Sequence, residues 1–343
     1  MSEAALPLVP MRRTSPIVRL GALVARQREL SLVAVMLVLG AYVATQAPQL
    51  LSASNLSQVT VLASIIGIAA VGEALVVLTR NVDLSVESTI GLVAFVVADL
   101  LATHTMSVPE AMTVGVGLGL VLGMINGFLV AGLRVPAIVA TLGTLSLYRG
   151  FAFLLAGGKQ VTLTDLPPGY TDPASANVLG VPVFLLLAVG IVAVTGVALR
   201  QTRFGRQVYA VGSNPEAAEI LGIRARLVTF SVFSVCGLLA GIGGILWGIN
   251  FGTINGTAAT GVTLQVIAAV VVGGVNIFGG SGTVVGAGLG ALFLAFISNS
   301  LILLRLSQFW LQAIYGIVIL LAVMLDAWLR RRLQRSTTRS RWQ

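Results

Sequence analysis

Few side chains in this sequence could do chemistry. It holds one lysine (Lys159), one histidine (His104) and one cysteine (Cys236). A lone thiol excludes an intramolecular disulfide and a thiolate metal cage. Lys159 follows Gly157 and Gly158 but precedes Gln160, so no phosphate-cradling P-loop is formed. The run from Gly280 through Gly282 to Gly286 resembles a dinucleotide-binding turn only loosely, with the wrong spacing and no soluble strand before it. No combination of His, Cys and carboxylates gives a metal site or a nucleophile beside a base. The expectation is a chain with no catalytic residue, no metal and no cofactor, which is not an enzyme.

What remains is polar chemistry embedded in apolar runs: Glu73, Glu87, Asn126, Thr141, Thr144, Tyr148, Arg149, Asn250, Gln265, Asn299, Gln312 and Tyr315. A charged group at mid-bilayer costs about 2.5–3.5 kcal/mol on insertion scales, so such residues turn toward a protein interior or a water-filled path. Any one of them can equally serve as a bond between helices. As a set, amides, hydroxyls and an aromatic phenol suit a neutral, hydroxyl-rich solute better than an ion. The turn Thr79-Arg80-Asn81-Val82-Asp83-Leu84-Ser85 precedes one of these runs. Asp83 or Ser85 can cap the helix that follows, with Glu87 in its first turns, and the same turn can also serve as a gate. Asn81, Asp83, Asn126, Thr141, Thr144, Tyr148, Asn250 and Asn299 make up the candidate pathway.

These residues are positioned by helices in a membrane. The chain has 343 residues, of which 57% are hydrophobic and only 10% charged, against about 25% charged in a soluble domain. Several runs reach the roughly 20 apolar residues that cross a bilayer core. Spans are expected at 30–45, 58–79, 85–104, 109–132, 136–156, 180–199, 227–250, 261–277, 283–304 and 309–329. The fold class is therefore all-α polytopic membrane protein with about ten transmembrane helices. The 261–277 span is short and is followed by Gly279, Gly280 and Gly282, which suggests a broken or re-entrant element near 277–283. The 39 glycines fall inside the apolar runs, a signal for close helix packing.

Net charge is +9, yet the basic residues flank the spans, so topology accounts for them and no nucleic-acid partner is expected. With the N-terminus inside, eighteen of the 21 Lys and Arg fall in inside segments. Lys159 and Arg305 fall outside, and Arg149 lies within a span. That asymmetry puts both termini in the cytoplasm. It divides the chain into a basic segment 1–29, a membrane domain 30–329 with a cytoplasmic loop 200–226, and a basic tail 330–343. An outside loop at 157–180, rich in Pro, Thr and Asp, is open to an external partner.

Within the cytoplasmic loop, Ser213 and Asn214 are good N-caps, Pro215 suits a first helical turn, and Glu216 and Glu219 favour the positive end of a helix dipole. Gly222 supplies a stop. A capped two-turn helix on one side of the bilayer is presented to something.

Several stretches carry a family resemblance: Arg80-Asn81-Val82-Asp83-Leu84-Ser85-Val86, Asn126-Gly127-Phe128-Leu129-Val130, the run from Val135-Pro136 to Arg149-Gly150, Thr202-Arg203-Phe204-Gly205-Arg206, and Val272-Gly273-Gly274 to Gly282. The chain resembles, over about 55–327, permease subunits in the monosaccharide branch of bacterial ABC importers (the ribose, xylose and arabinose type). Within that branch it looks most similar to rhamnose and autoinducer-2 permeases. It departs at Glu87, where the family usually has Gly. The resemblance implies a bacterial inner-membrane importer built from two permeases, identical or paralogous, two cytoplasmic ABC ATPase subunits and an extracytoplasmic sugar-binding protein. It also implies that Asn214, Pro215, Glu216, Ala217, Ala218 and Gly222 form the ATPase-coupling element. A stand-alone secondary transporter driven by an ion gradient is the alternative. It needs buried carboxylates, for which Glu73 and Glu87 are the candidates. A membrane-anchored structural protein would leave the polar residues in the bundle unexplained.

Overall fold

The computed structural model describes residues 28–321 and Met324. The expected segments 1–29 and 330–343 lie almost wholly outside the described residues, as does the end of the 309–329 span. The described chain is a helical bundle. Its long helices are α1 (Arg28–Gln46), α2 (Ala53–Leu78), α3 (Val86–Ala102), α4 (Val108–Gly127) and α5 (Ala137–Ala156). Then come α6 (Val183–Gln201), the short α7 (Arg203–Ser213) and α8 (Pro215–Ile220), α9 (Ala225–Phe251), α10 (Val262–Val272), α11 (Val284–Leu303) and α12 (Trp310–Leu321). Among the described residues seven helices are long and apolar enough to cross a membrane: α1, α2, α4, α5, α6, α9 and α11. The other three expected spans are shorter. The helix at 85–104 has 17 residues and that at 261–277 only 11, while α12 is described only to Leu321.

The axis of the bundle is α2, which begins earlier than its apolar run because the Ser52 hydroxyl accepts from Asn55 N and caps it. Almost all of its membrane-crossing stretch is enclosed by other helices, including Ile65, Ile66, Ile68 and Leu78. Lipid tails are as apolar as these side chains, so their burial alone does not drive helix association; close packing and polar bonds do. The α4–α9 contact shows how. A Cβ placed on Gly119 would come within 2.6 Å of Gly237 O, and one on Gly123 within 2.5 Å of Phe233 O. The two backbones touch, which is possible only without side chains there.

The loops sort to two ends. At one end Arg80 donates to Gly212 O, Gly280 N donates to Leu78 O, and Tyr209 donates to Gly282 O. Burial raises the Tyr209 phenol above its ordinary pKa. This basic end also gathers Arg134 and Arg226 around Arg80. At the opposite end Val161 pairs with Ile254, and a two-residue hairpin joins Asn177–Val178 to Val181–Pro182.

Two elements begin inside the bundle. After α2 the chain doubles back, since Asp83 N donates to the side chain of Glu73, about 8 Å before the end of α2 at 1.5 Å per residue. Helix α10 begins where residues 252–261 finish descending from the opposite end. Gly244 of α9 packs on Ile90 O, and it lies about 10 Å from the end of α9 at Phe251. Glu87 is one turn deeper and binds the start of α10 through Gly261 N at 2.9 Å. The start of α10 is thus about 15 Å below the end of α9, near the middle of a bilayer core about 30 Å thick. A broken element is present, but the descending segment is 252–261, ahead of α10. Residues 276–281 instead close a tight turn at the basic end, where Asn276 N donates to Ser281 O.

Candidate functional site

The turn that doubles back into the bundle carries the densest polar cluster. Asp83 Oδ1 accepts from Ser85 N at 2.9 Å and from Ser85 Oγ at 2.6 Å. This is a side-chain turn that starts α3 in the way a cap would. Asn126, at the end of α4, donates through Nδ2 to Asp83 Oδ2 at 3.1 Å and to Ser85 Oγ at 2.7 Å. Its Oδ1 accepts from Tyr148 OH of α5 at 3.3 Å, and that hydroxyl also reaches Leu122 O at 3.0 Å. Glu73, Asp83, Ser85, Asn126 and Tyr148 are all at most 2% exposed. A buried polar group left without a partner costs about 1–3 kcal/mol, and every member of this chain has one. The cluster ties α2, α3, α4 and α5 together. Below it, α4 ends in a π-turn at Phe128–Gly132, where Leu133 N reaches back to Phe128 O.

A second centre lies one turn along α3. Glu87 Oε2 accepts from Gly261 N at 2.9 Å and Thr263 N at 3.3 Å, so its carboxylate caps α10 from outside that helix. In return Thr263 Oγ1 accepts from Glu87 N and donates to Leu84 O. Two helix N-termini therefore meet around one carboxylate. Arg149 of α5 faces the same carboxylate, with NH2 at 3.5 Å from Oε1, and both side chains are nearly enclosed, at 12% and 13% exposure. Arg149 NH1 donates to Gly256 O at 3.2 Å and Ala258 O at 2.7 Å. The guanidinium thereby holds the descending segment against α5.

The third centre is the corner between α7 and α8. Helix α7, which the polar composition of its stretch concealed, is amphipathic, burying Val208 and Val211 and exposing Arg203 and Arg206. Thr202 caps it by accepting from Gly205 N at 3.1 Å. Of the two expected caps, Ser213 closes α7 and Asn214 caps α8, accepting from Ala217 N at 3.1 Å. Pro215 takes the first turn. Gly222 ends the element at φ 79°, a backbone region that suits glycine. Arg80 grips the corner through Gly212 O and Ser213 O. Ala218 is buried against the bundle at 2% exposure, whereas Glu216, Ala217 and Glu219 are exposed. Ile220 and Leu221 are 87% and 79% exposed. The sequence reading passed over these two. Their signal was a pair of aliphatic residues directly before a helix-ending glycine in a basic, polar stretch.

The structure brings Asp83, Asn126 and Tyr148 into one cluster, with Thr141 and Thr144 beside it on α5. Both threonine hydroxyls bond back to their own helix, and Thr141 also reaches Val82 O at 3.4 Å. Asn81 sits apart, in the cavity at the basic end, folded onto Thr79. Asn250 is at the far end of α9. Asn299 exchanges two hydrogen bonds with Asn55, at 3.0 and 2.8 Å, across the α2–α11 contact.

The family model described as "Branched-chain amino acid transport system / permease component" matches residues 55–323. The chain is 40% identical over 294 residues to the "Autoinducer 2 import system permease protein LsrC" of Salmonella typhimurium (strain LT2), spanning 86% of this chain and 84% of that one. Identity to the protein of that name from Escherichia coli (strain K12 / DH10B) is also 40%, over 86% and 85% of the two chains. The Shigella flexneri protein gives the same figures. No solved structure matches the chain.

Proposed function

Because this chain belongs to the branched-chain amino acid transport system / permease component family, we propose that it is the membrane permease of an ABC importer carrying a sugar-like solute of the autoinducer-2 class. It is a multi-pass inner-membrane protein and a transport subunit. The choice of solute rests on the relatives, which are named for autoinducer-2 import. A pentose or rhamnose is the neighbouring possibility in the same chemical class.

The observation that carries the mechanism is α8. A cytoplasmic ATPase docks on its outer face, on Glu216, Ala217, Ile220 and Leu221, while Asn214, Pro215, Ala218 and Gly222 hold its shape. Two large aliphatic side chains exposed beside a carboxylate are what a partner pocket takes up. The distribution of arginines supports a cytoplasmic location for this corner and for both termini. The membrane domain 30–329 then carries the coupling loop 200–226 between the basic segments 1–29 and 330–343. Asp83, Asn126, Thr141, Thr144 and Tyr148, with Asn81 below and Asn250 and Asn299 further off, make up the candidate pathway. Two permease copies, identical or paralogous, two ATPases and an extracytoplasmic binding protein complete the assembly.

The test is uptake of autoinducer-2 into proteoliposomes holding the permease, its ATPase and its binding protein. ATP-dependent uptake, lost on Glu216→Ala or Gly222→Val while the permease still inserts, supports the reading. Uptake that persists without the ATPase and collapses with an uncoupler overturns it in favour of an ion-coupled transporter.

A further inference from the structure

The segment 252–261 descends about 15 Å into the bundle without forming a helix. Its residues alternate in exposure. Ile254 (0%), Gly256 and Ala259 (3%) are buried, while Thr253, Asn255, Thr257 and Thr260 are exposed. The outward face is therefore a strip of three hydroxyls and an amide that enters the depth of the bilayer core. Irregular backbone and polar side chains do not face hydrocarbon at that depth, and they persist only against protein or water. Asn255 Oδ1 accepts from Thr257 N and Oγ1 at 3.0 and 2.7 Å, and Thr260 Oγ1 donates to Thr257 O at 2.7 Å. Those bonds fix the strip yet leave Asn255 Nδ2 and Thr253 Oγ1 without a partner among the described residues. From behind, Arg149 pins the strip through Gly256 O and Ala258 O. Both charges of that region are spent on each other, so the strip itself is neutral.

We infer that Thr253, Asn255, Thr257 and Thr260 line the outer half of the aqueous path and hydrogen-bond the hydroxyl groups of a neutral, polyhydroxylated solute as it enters. This inference rests on the importer reading. Amide and hydroxyl groups match such a solute donor for acceptor, and a strip without net charge gives an ion no counter-charge.

The test uses the complete assembly in membrane vesicles. Single cysteines are placed at 253, 255, 257 and 260, with controls at 254 and 259, and each is exposed to a charged, membrane-impermeant methanethiosulfonate. Native Cys236 is fully buried and stays in place. The expected result is labelling at 257 and 260 roughly tenfold faster than at 254 and 259, because thiol modification follows exposure to water. In the same assembly Asn255→Ala raises the KM for autoinducer-2 uptake about fivefold, the scale of one lost hydrogen bond, with ATPase-driven turnover retained. Equal rates along the segment, or reaction at 257 and 260 only with a lipophilic maleimide, overturn the inference. So does an unchanged KM for Asn255→Ala. Labelling is read without transport, so an assembly that fails to import autoinducer-2 at all counts against the importer reading and leaves the labelling result to decide this one.

Discussion

Replacing Arg149 with methionine keeps most of the side-chain volume and removes the charge that faces Glu87. At the observed 3.5 Å and an effective dielectric near 20, the attraction is about 5 kcal/mol. Part of that survives the substitution, because Glu87 keeps its two backbone donors, Gly261 N and Thr263 N. A net loss of about 3 kcal/mol is the outcome for Arg149→Met, at the low end of what breaking a buried pair costs. Glu87→Gln keeps an acceptor for those donors but strands the guanidinium, and the loss is similar. Combining the two leaves no uncompensated charge, so the double variant should fall well short of the summed losses, with a coupling of about 2–3 kcal/mol. Unfolding of the purified permease in mixed detergent micelles, followed by tryptophan fluorescence, gives all three numbers. A coupling below about 0.5 kcal/mol would refute the claim that Glu87 and Arg149 compensate each other as a buried ion pair.

Other outcomes follow from single contacts. Leu221→Asp leaves folding within about 0.5 kcal/mol, since the side chain is 79% exposed, but lowers ATP-driven uptake by at least about tenfold if the ATPase docks there. Gly123→Leu forces a side chain against Phe233 O and destabilises the α4–α9 contact by about 1–3 kcal/mol. Gly143→Ala, in the interior of α5 with nothing within 4 Å of the added Cβ, raises stability by about 0.5–1 kcal/mol through helix propensity. Asn126→Ala strips partners from Asp83, Ser85 and Tyr148 together and should lower stability by about 1–3 kcal/mol in the same micelle assay. In the loop beyond α5, the Thr162 hydroxyl and N–H hold Asp165 below the ordinary 3.8. A lowered folded-state value means that the turn's stabilisation is complete above the ordinary carboxylate range and is lost only as pH falls through the lowered value. Slow amide exchange at Thr162 should therefore persist at pH 4 and disappear at lower pH, with no such step in Asp165→Asn.

Composition made the helical, membrane-bound character legible, because hydropathy acts locally along the chain. The capped corner between α7 and α8 was legible for the same reason: Asn214, Pro215 and Gly222 act within a few residues of themselves. Pairings were not. Asp83 and Asn126 each stood out as polar, but their contact spans 43 residues of sequence. Glu87 and Arg149 stood out separately, and only the fold reveals that one answers the other. Asn299 stood out as a polar residue within a span, but its partner Asn55, before the expected start of α2, did not. The descending segment was invisible for a different reason. Its threonines, glycines and asparagine fall between the expected spans at 227–250 and 261–277, and nothing local records that this connection descends between helices.

The small size of α8 has a consequence of its own. Six residues are too few for a helix to persist in water, since nucleation consumes more ordering than so few hydrogen bonds return. Its shape is inherited from Arg80, Asn214 and the buried Ala218, all fixed before any partner arrives. The ordering entropy, about 1–2 kcal/mol for each residue, is thus absent from the binding step. If the ATPase docks on α8 as proposed, a synthetic peptide of residues 213–223 lacks that advantage and would compete poorly for the same pocket, so an inhibitor of that junction needs its helix stapled in advance.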